Sequence, residues 1–136
     1  MNRILISAAI LACFLSAGCG GDGLLRTQGR LVKGGQPVIP KNGEILEVTF
    51  VPIPADGKPP RDFYFAETDQ TAGTFRPAGK NGKGMPPGKY RVAVELMKKK
   101  KDVLGGKYDA ERSPFVFDVD ANTKEIVIDL DNPPKT

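Results

Sequence analysis

The clearest pattern in the chain is a period-two alternation at residues 89–96. Tyr90, Val92, Val94 and Leu96 fall on one side, and Lys89, Arg91, Ala93 and Glu95 on the other. One apolar face at that period predicts a half-buried strand of an antiparallel sheet. Pro86 and Pro87 lack backbone donors and end whatever precedes them, while Gly88 offers the φ freedom of a sharp turn into the strand. The alternation recurs at residues 45–51, with Leu46, Val48 and Phe50 inward. It returns at 115–119, with Phe115, Phe117 and Val119 inward, and at 125–130, with Ile126, Ile128 and Leu130 inward. Residues 27–33 and 74–76 read as shorter strands. So do residues 61–68, around Phe63-Tyr64-Phe65, where both faces are apolar and the facing stays open. Gly34-Gly35 reads as a tight hairpin turn leading into Gln36-Pro37-Val38. Pro52 and Pro54 end the strand at 45–51; residues 55–60, 69–73 and 120–124 read as turns or loops, and 78–84 as a mobile loop. No stretch carries a helical period. Seven short strands between turn signals predict an all-β, seven-stranded antiparallel β-sandwich with a core ~10 Å thick.

Two segments break this pattern. At the N-terminus, Arg3 precedes an apolar run at residues 4–15, interrupted only by Ser7 and followed by the small residues Ser16, Ala17 and Gly18. That is the order of a bacterial export signal, and the run is too short for a stable bilayer span. Gly20-Gly21-Asp22-Gly23 follows as a flexible tether. The predicted organisation is a leader at 1–18, a tether at 19–26, a β domain at 27–131 and a tail at 132–136. The second break is residues 97–113, too long for an ordinary connection in a compact domain. It opens with Lys98, Lys99, Lys100 and Lys101 and continues to Lys107 and Tyr108. No apolar residue alternates with the four lysines, so no strand is expected through them. Gly105-Gly106 would stop a helix within two turns. The expectation is a solvated flap held at its ends by Leu96 and Phe115, with its lysines available to an anionic lipid, a polysaccharide or an envelope protein.

Leu15-Ser16-Ala17-Gly18-Cys19 resembles the lipobox of bacterial lipoproteins, with Ser16 where the usual pattern has Leu. The resemblance implies cleavage before Cys19, lipidation of its thiol and a membrane anchor. Gly20 after the cysteine resembles sorting to the outer membrane in a diderm host. Further motifs occur in order: Gly29-Arg30-Leu31, Gly35-Gln36-Pro37-Val38, Val48-Thr49-Phe50-Val51-Pro52, Ala66-Glu67-Thr68-Asp69, Gly73-Thr74-Phe75 and residues 86–92. Together they resemble carboxypeptidase regulatory-like domains, which implies a transthyretin-like (prealbumin-like) sandwich. Leu104-Gly105-Gly106-Lys107-Tyr108 and Ser113-Pro114, taken with the lipobox, resemble small planctomycete lipoproteins.

Composition narrows the chemistry. The chain has 136 residues, enough for one domain, with 16 Gly and 12 Pro in keeping with many turns. It has no histidine, which excludes His-based zinc sites, Ser-His-Asp triads and Cys-His pairs. It has no tryptophan, the best sugar-stacking platform. Cys13 and Cys19 both lie in or beside the leader, so no disulfide is expected in the domain. A formal charge of +4, without basic and aromatic residues interleaved, argues against nucleic acid. Asp69-Gln70-Thr71 offers one carboxylate, too few for calcium, and Asp69 is expected to bond its own turn. Asp118/Asp120 and Asp129/Asp131 are expected on solvent faces rather than in a cleft, and Ser113 has no partner base. No metal or cofactor is expected. The resulting expectation is a non-catalytic, lipid-anchored envelope module. The alternative is a carbohydrate-binding accessory module using Tyr108, the loop tyrosine, and the third reading is a cell-envelope enzyme.

Overall fold

A computed structural model describes residues 23–79 and 81–134. The leader, Cys13 and Cys19 lie outside the described residues. Within them the chain is all-β, in the order β1 (Gln28–Lys33), β2 (Gln36–Pro37), β3 (Glu44–Pro52), β4 (Tyr64–Asp69), β5 (Thr74–Pro77), β6 (Gly88–Lys98), β7 (Lys101–Asp102), β8 (Val116–Val119) and β9 (Glu125–Asp129). Nine strands form instead of seven, because β2 and β7, each of two residues, are the return arms of tight hairpins. The hydrogen-bonded path runs β2-β1-β5-β4-β3-β6-β7, with β9 added on β1 and β8 on β6. Pairing is antiparallel except between β1 and β9, which run parallel from Gln28↔Glu125 to Val32↔Asp129.

The alternation of apolar residues dictates which face each strand buries. Leu46, Val48 and Phe50 of β3 lie in register with Leu96, Val94 and Val92 of β6, and all six side chains are buried. Leu31 of β1 and Ile126 and Ile128 of β9 join them in a single core, so the two ends of the strand path share one interior. Phe50 and Phe75 meet at 6.1 Å although β4 separates their strands along the path. β4 turns that corner. Tyr64 and Phe65 pair with β3, whereas Ala66 to Asp69 pair with β5.

Where β4 leaves β3, side chains replace the ladder. The Leu46 amide donates to Gln70 Oε1 at 2.7 Å, and the Leu46 carbonyl accepts from Gln70 Nε2 and Thr68 Oγ1, each at 3.0 Å. A buried backbone group left unpaired here would cost about 1–3 kcal/mol. The open question of facing at 61–68 is settled by this corner. Tyr64 and Ala66 pack toward the core, and Phe63 and Phe65 are exposed.

One glycine departs from its expected role. Gly88 does not take a positive φ. The left-handed residue before β6 is Gly84, at φ 106°, whose missing side chain lets the Leu25 carbonyl approach. There Leu25 and Met85 exchange backbone hydrogen bonds of 2.7 and 3.1 Å, and Met85 is wholly buried. Gly84 N–H also donates to Ala78 O at 3.0 Å, which joins the two ends of the 78–84 loop. Gly29 is buried under Phe75, its cross-strand partner: a Cβ there would stand 2.2 Å from the ring carbons.

Candidate functional site: the lysine hairpin and the segment behind it

β6 does not stop at Leu96. It continues to Lys98, turns through Lys99 and Lys100, and returns as β7 from Lys101, with Lys98 opposite Lys101. Lys99 and Lys100 have φ of 48° and 65°, the two positive values of a type I′ hairpin. Gly34 and Gly35 make the same turn at 58° and 74°. For lysine the left-handed region costs about 1–2 kcal/mol per residue, so something else must hold the turn.

Asp102 holds it. Its Oδ1 accepts the Leu96 and Leu104 amides, each at 3.0 Å, and its Oδ2 accepts the Gly106 amide at 2.7 Å. The Val103 amide then donates to Leu96 O at 2.9 Å. The expectation of no strand through the lysines fails for this reason at Lys98 and Lys101, while Lys99 and Lys100 form the turn. The hairpin is fixed by backbone pairing and one carboxylate rather than by an apolar face.

Residues 103–115 are likewise not a flap held only at its ends. They close the edge of β6 between β7 and β8. Val94 N–H donates to Tyr108 O, and Val92 N–H to Phe115 O, each at 2.8 Å. Ser113 is buried; its hydroxyl donates to Val92 O at 2.5 Å and accepts the Phe115 amide at 3.3 Å. Tyr108, expected as an exposed contact residue, is 4% exposed. Its ring packs 5.3 Å from Phe115 and its hydroxyl donates to Leu130 O at 3.0 Å. Tyr108 therefore belongs to the core and not to an interaction surface. Lys107 remains exposed, its ammonium 5.0 Å above the Tyr108 ring.

The sequence-predicted lysines thus sit together on the tip of a hydrogen-bonded hairpin. Lys98 lies 3.7 Å from Glu44 Oε1. Among the described residues, Lys99, Lys100 and Lys101 make no ion pair or side-chain hydrogen bond, and all are exposed. Chemically the tip can do one thing, which is to present a cluster of ammonium donors to an anion.

The carboxylates considered from the sequence are committed elsewhere. Asp69 accepts from the Thr71 hydroxyl at 2.6 Å and the Thr71 amide at 2.8 Å, which hold its pKa below 3.8. Asp120 accepts the Asn122 amide and the Thr123 hydroxyl, and Asp129 the Asn132 side-chain amide and the Asp131 amide; both are likewise lowered. Asp118, Asp120 and Asp131 are exposed and Asp129 is half-buried. Asp131 is tied down, accepting the Gly34 amide at 2.7 Å.

Two features escaped sequence reasoning. Glu95 stands directly opposite Glu47 in register, near Asp102 and Asp109. Partial burial, then the charges of Asp102, Glu47 and Asp109, raise its pKa. Arg91, expected in solvent, is half-buried in the floor of a groove of about 480 Å³ walled by Val51, Pro52, Pro54 and Phe63. Its Nη1 donates to Glu111 O at 3.3 Å, and its buried Nε has no hydrogen-bond partner among the described residues. The Glu95–Glu47 opposition depends on strand register, which no local pattern reports. Comparison of the chain with family models, curated proteins and solved structures finds no match.

Proposed function

We propose that this protein is exported, lipidated on Cys19 and acts as a non-catalytic interaction module of the cell envelope. The single observation that carries the reading is the lysine tip. The chain holds two lysines in an unfavourable backbone conformation and, among the described residues, leaves three ammonium groups without acidic partners. Strain maintained at a surface by over-determined surroundings is a reason to look for a ligand. The acidic side chains accepting hydrogen bonds in their own turns support a binding role over general acid/base work, which needs a perturbed group in a cleft.

The reading takes in the resemblance to carboxypeptidase regulatory-like domains and to small planctomycete lipoproteins. A sheet whose two ends share a core, with β4 crossing between them, is how a transthyretin-like sandwich would be wrapped. In a diderm host, Gly20 would direct the lipoprotein to the outer membrane. The carbohydrate-binding alternative rested on Tyr108 as a loop platform, and its buried ring removes that platform.

The test is intact-mass analysis of protein extracted from its native envelope. Acyl groups on residue 19, lost in Cys19→Ala together with membrane retention, are the expected result, since two or three acyl chains anchor firmly. Wild-type protein without acyl mass at residue 19 would sink the anchored reading.

A further inference from the structure

The lysine tip and the point where the N-terminal segment joins the domain lie at opposite poles. β6 has eleven residues, Gly88 to Lys98, and at ~3.3 Å per residue it spans about 33 Å. The chain joins at the Gly88 end. Leu25 bridges Met85, three residues before the strand, and Arg26 Nε donates to Lys83 O at 3.2 Å. Thr27 Oγ1 donates to the Thr123 carbonyl at 3.2 Å, in the turn beyond Val119, which itself pairs with Gly88. Three independent contacts therefore place residues 25–27 beside the start of β6, and the lysines are at its other end.

We propose that the hairpin of residues 98–101 is a docking tip for an acidic polysaccharide, presented away from the membrane that holds the chain. This rests on the anchored reading above. From Cys19 to Asp22 the chain reaches at most about 14 Å, less than half the length of β6. Only a domain laid on its side would bring the tip to its own bilayer. The chemistry favours a hydrated polymer over a protein face. The four tip residues are all lysine, point charges on flexible stems that do not demand the bidentate geometry an arginine reads. The tip itself contains no aromatic or arginine anchor of the kind that dominates protein interfaces. Lys98 and Lys101 face each other directly across the hairpin, an opposition that a polyanion relieves.

The experiment uses the full-length, processed protein carried in phosphatidylcholine vesicles, with fluorescent polygalacturonate as the probe. Wild type should capture the polymer, with binding that falls steeply from low to physiological salt. The variant with Lys98, Lys99, Lys100 and Lys101 all changed to Gln should bind at least about tenfold more weakly. Adding phosphatidylglycerol to the carrying bilayer should leave capture unchanged. If the anionic lipid weakens capture as far as the four substitutions do, the tip lies on its own membrane and the proposal falls. It also falls if the quadruple variant captures as well as wild type. Protein that does not float with vesicles and carries no acyl mass refutes the anchored reading instead. The same polymer titration of the full-length protein in solution then still decides whether the tip binds.

Discussion

Lys99 and Lys100 adopt the backbone that Gly34 and Gly35 adopt in the other two-residue hairpin. For glycine that conformation is free of Cβ strain, and for lysine it is not. The preferred pair for a type I′ turn is Asn-Gly. Replacing Lys99-Lys100 by Asn-Gly should therefore stabilise the domain by about 1–2 kcal/mol, raising the melting temperature by several degrees. The control is Lys99→Gln with Lys100→Gln, which removes the same two charges and keeps the side chains that strain the turn. Thermal melts should rank Asn-Gly above Gln-Gln, and Gln-Gln near wild type. Equal melting temperatures for the two variants would mean that relief of charge repulsion, not backbone strain, sets the effect.

At the scale of elements, much of the sheet was legible in the chain. The strands at 45–51, 89–96 and 125–130 alternate cleanly because each buries one face, and that face is written locally. The segment after β6 was not legible, because what fixes it is remote or polar. Tyr108 sits among glycines and charges, and its hydroxyl partner, the Leu130 carbonyl, is 22 residues away. Met85 looks like part of a turn between Gly84 and Pro86, and is buried through its bridge to Leu25. Of the candidate site, the clustering of the lysines was readable; the hairpin that stiffens them and their place at the far pole were not. Asp102 is the residue on which the hairpin and the following segment both depend, since three backbone amides converge on its carboxylate. Asp102→Ala should cost about 2–4 kcal/mol and expose those amides. Native-state hydrogen exchange should then speed up at Leu96, Leu104 and Gly106, while Val48 and Ile128 in the core change only with global stability. Unchanged protection at all three amides would show that the segment is held by Tyr108 and Ser113 alone.

For the whole molecule, two sets of acidic side chains act on stability in opposite directions. Asp69, Asp109, Asp120 and Asp129 accept hydrogen bonds in separate turns and titrate below 3.8. Their folded pKa values are depressed, so their contribution is present above 3.8 and is lost as pH falls through the folded values. Glu95 works the other way. Burial raises its pKa above 4.5, helped by Asp102, Glu47 and Asp109, so the folded state holds the proton more tightly than the unfolded chain. Its contribution is neutral below 4.5 and becomes a cost as pH rises through its raised folded value. Wild-type stability should therefore fall on acidification below about pH 4, as the turn aspartates protonate. Glu95→Gln should melt higher than wild type at pH 7, with the advantage shrinking on acidification and vanishing once pH drops below 4.5. Added salt should shrink the same advantage without abolishing it, because salt screens the three neighbouring charges but not the burial that contributes most. Melting curves across pH 3 to 8 for the two proteins decide it. An advantage that is constant with pH would mean that Gln merely packs better against Glu47, and that the carboxylate at position 95 carries no charge cost.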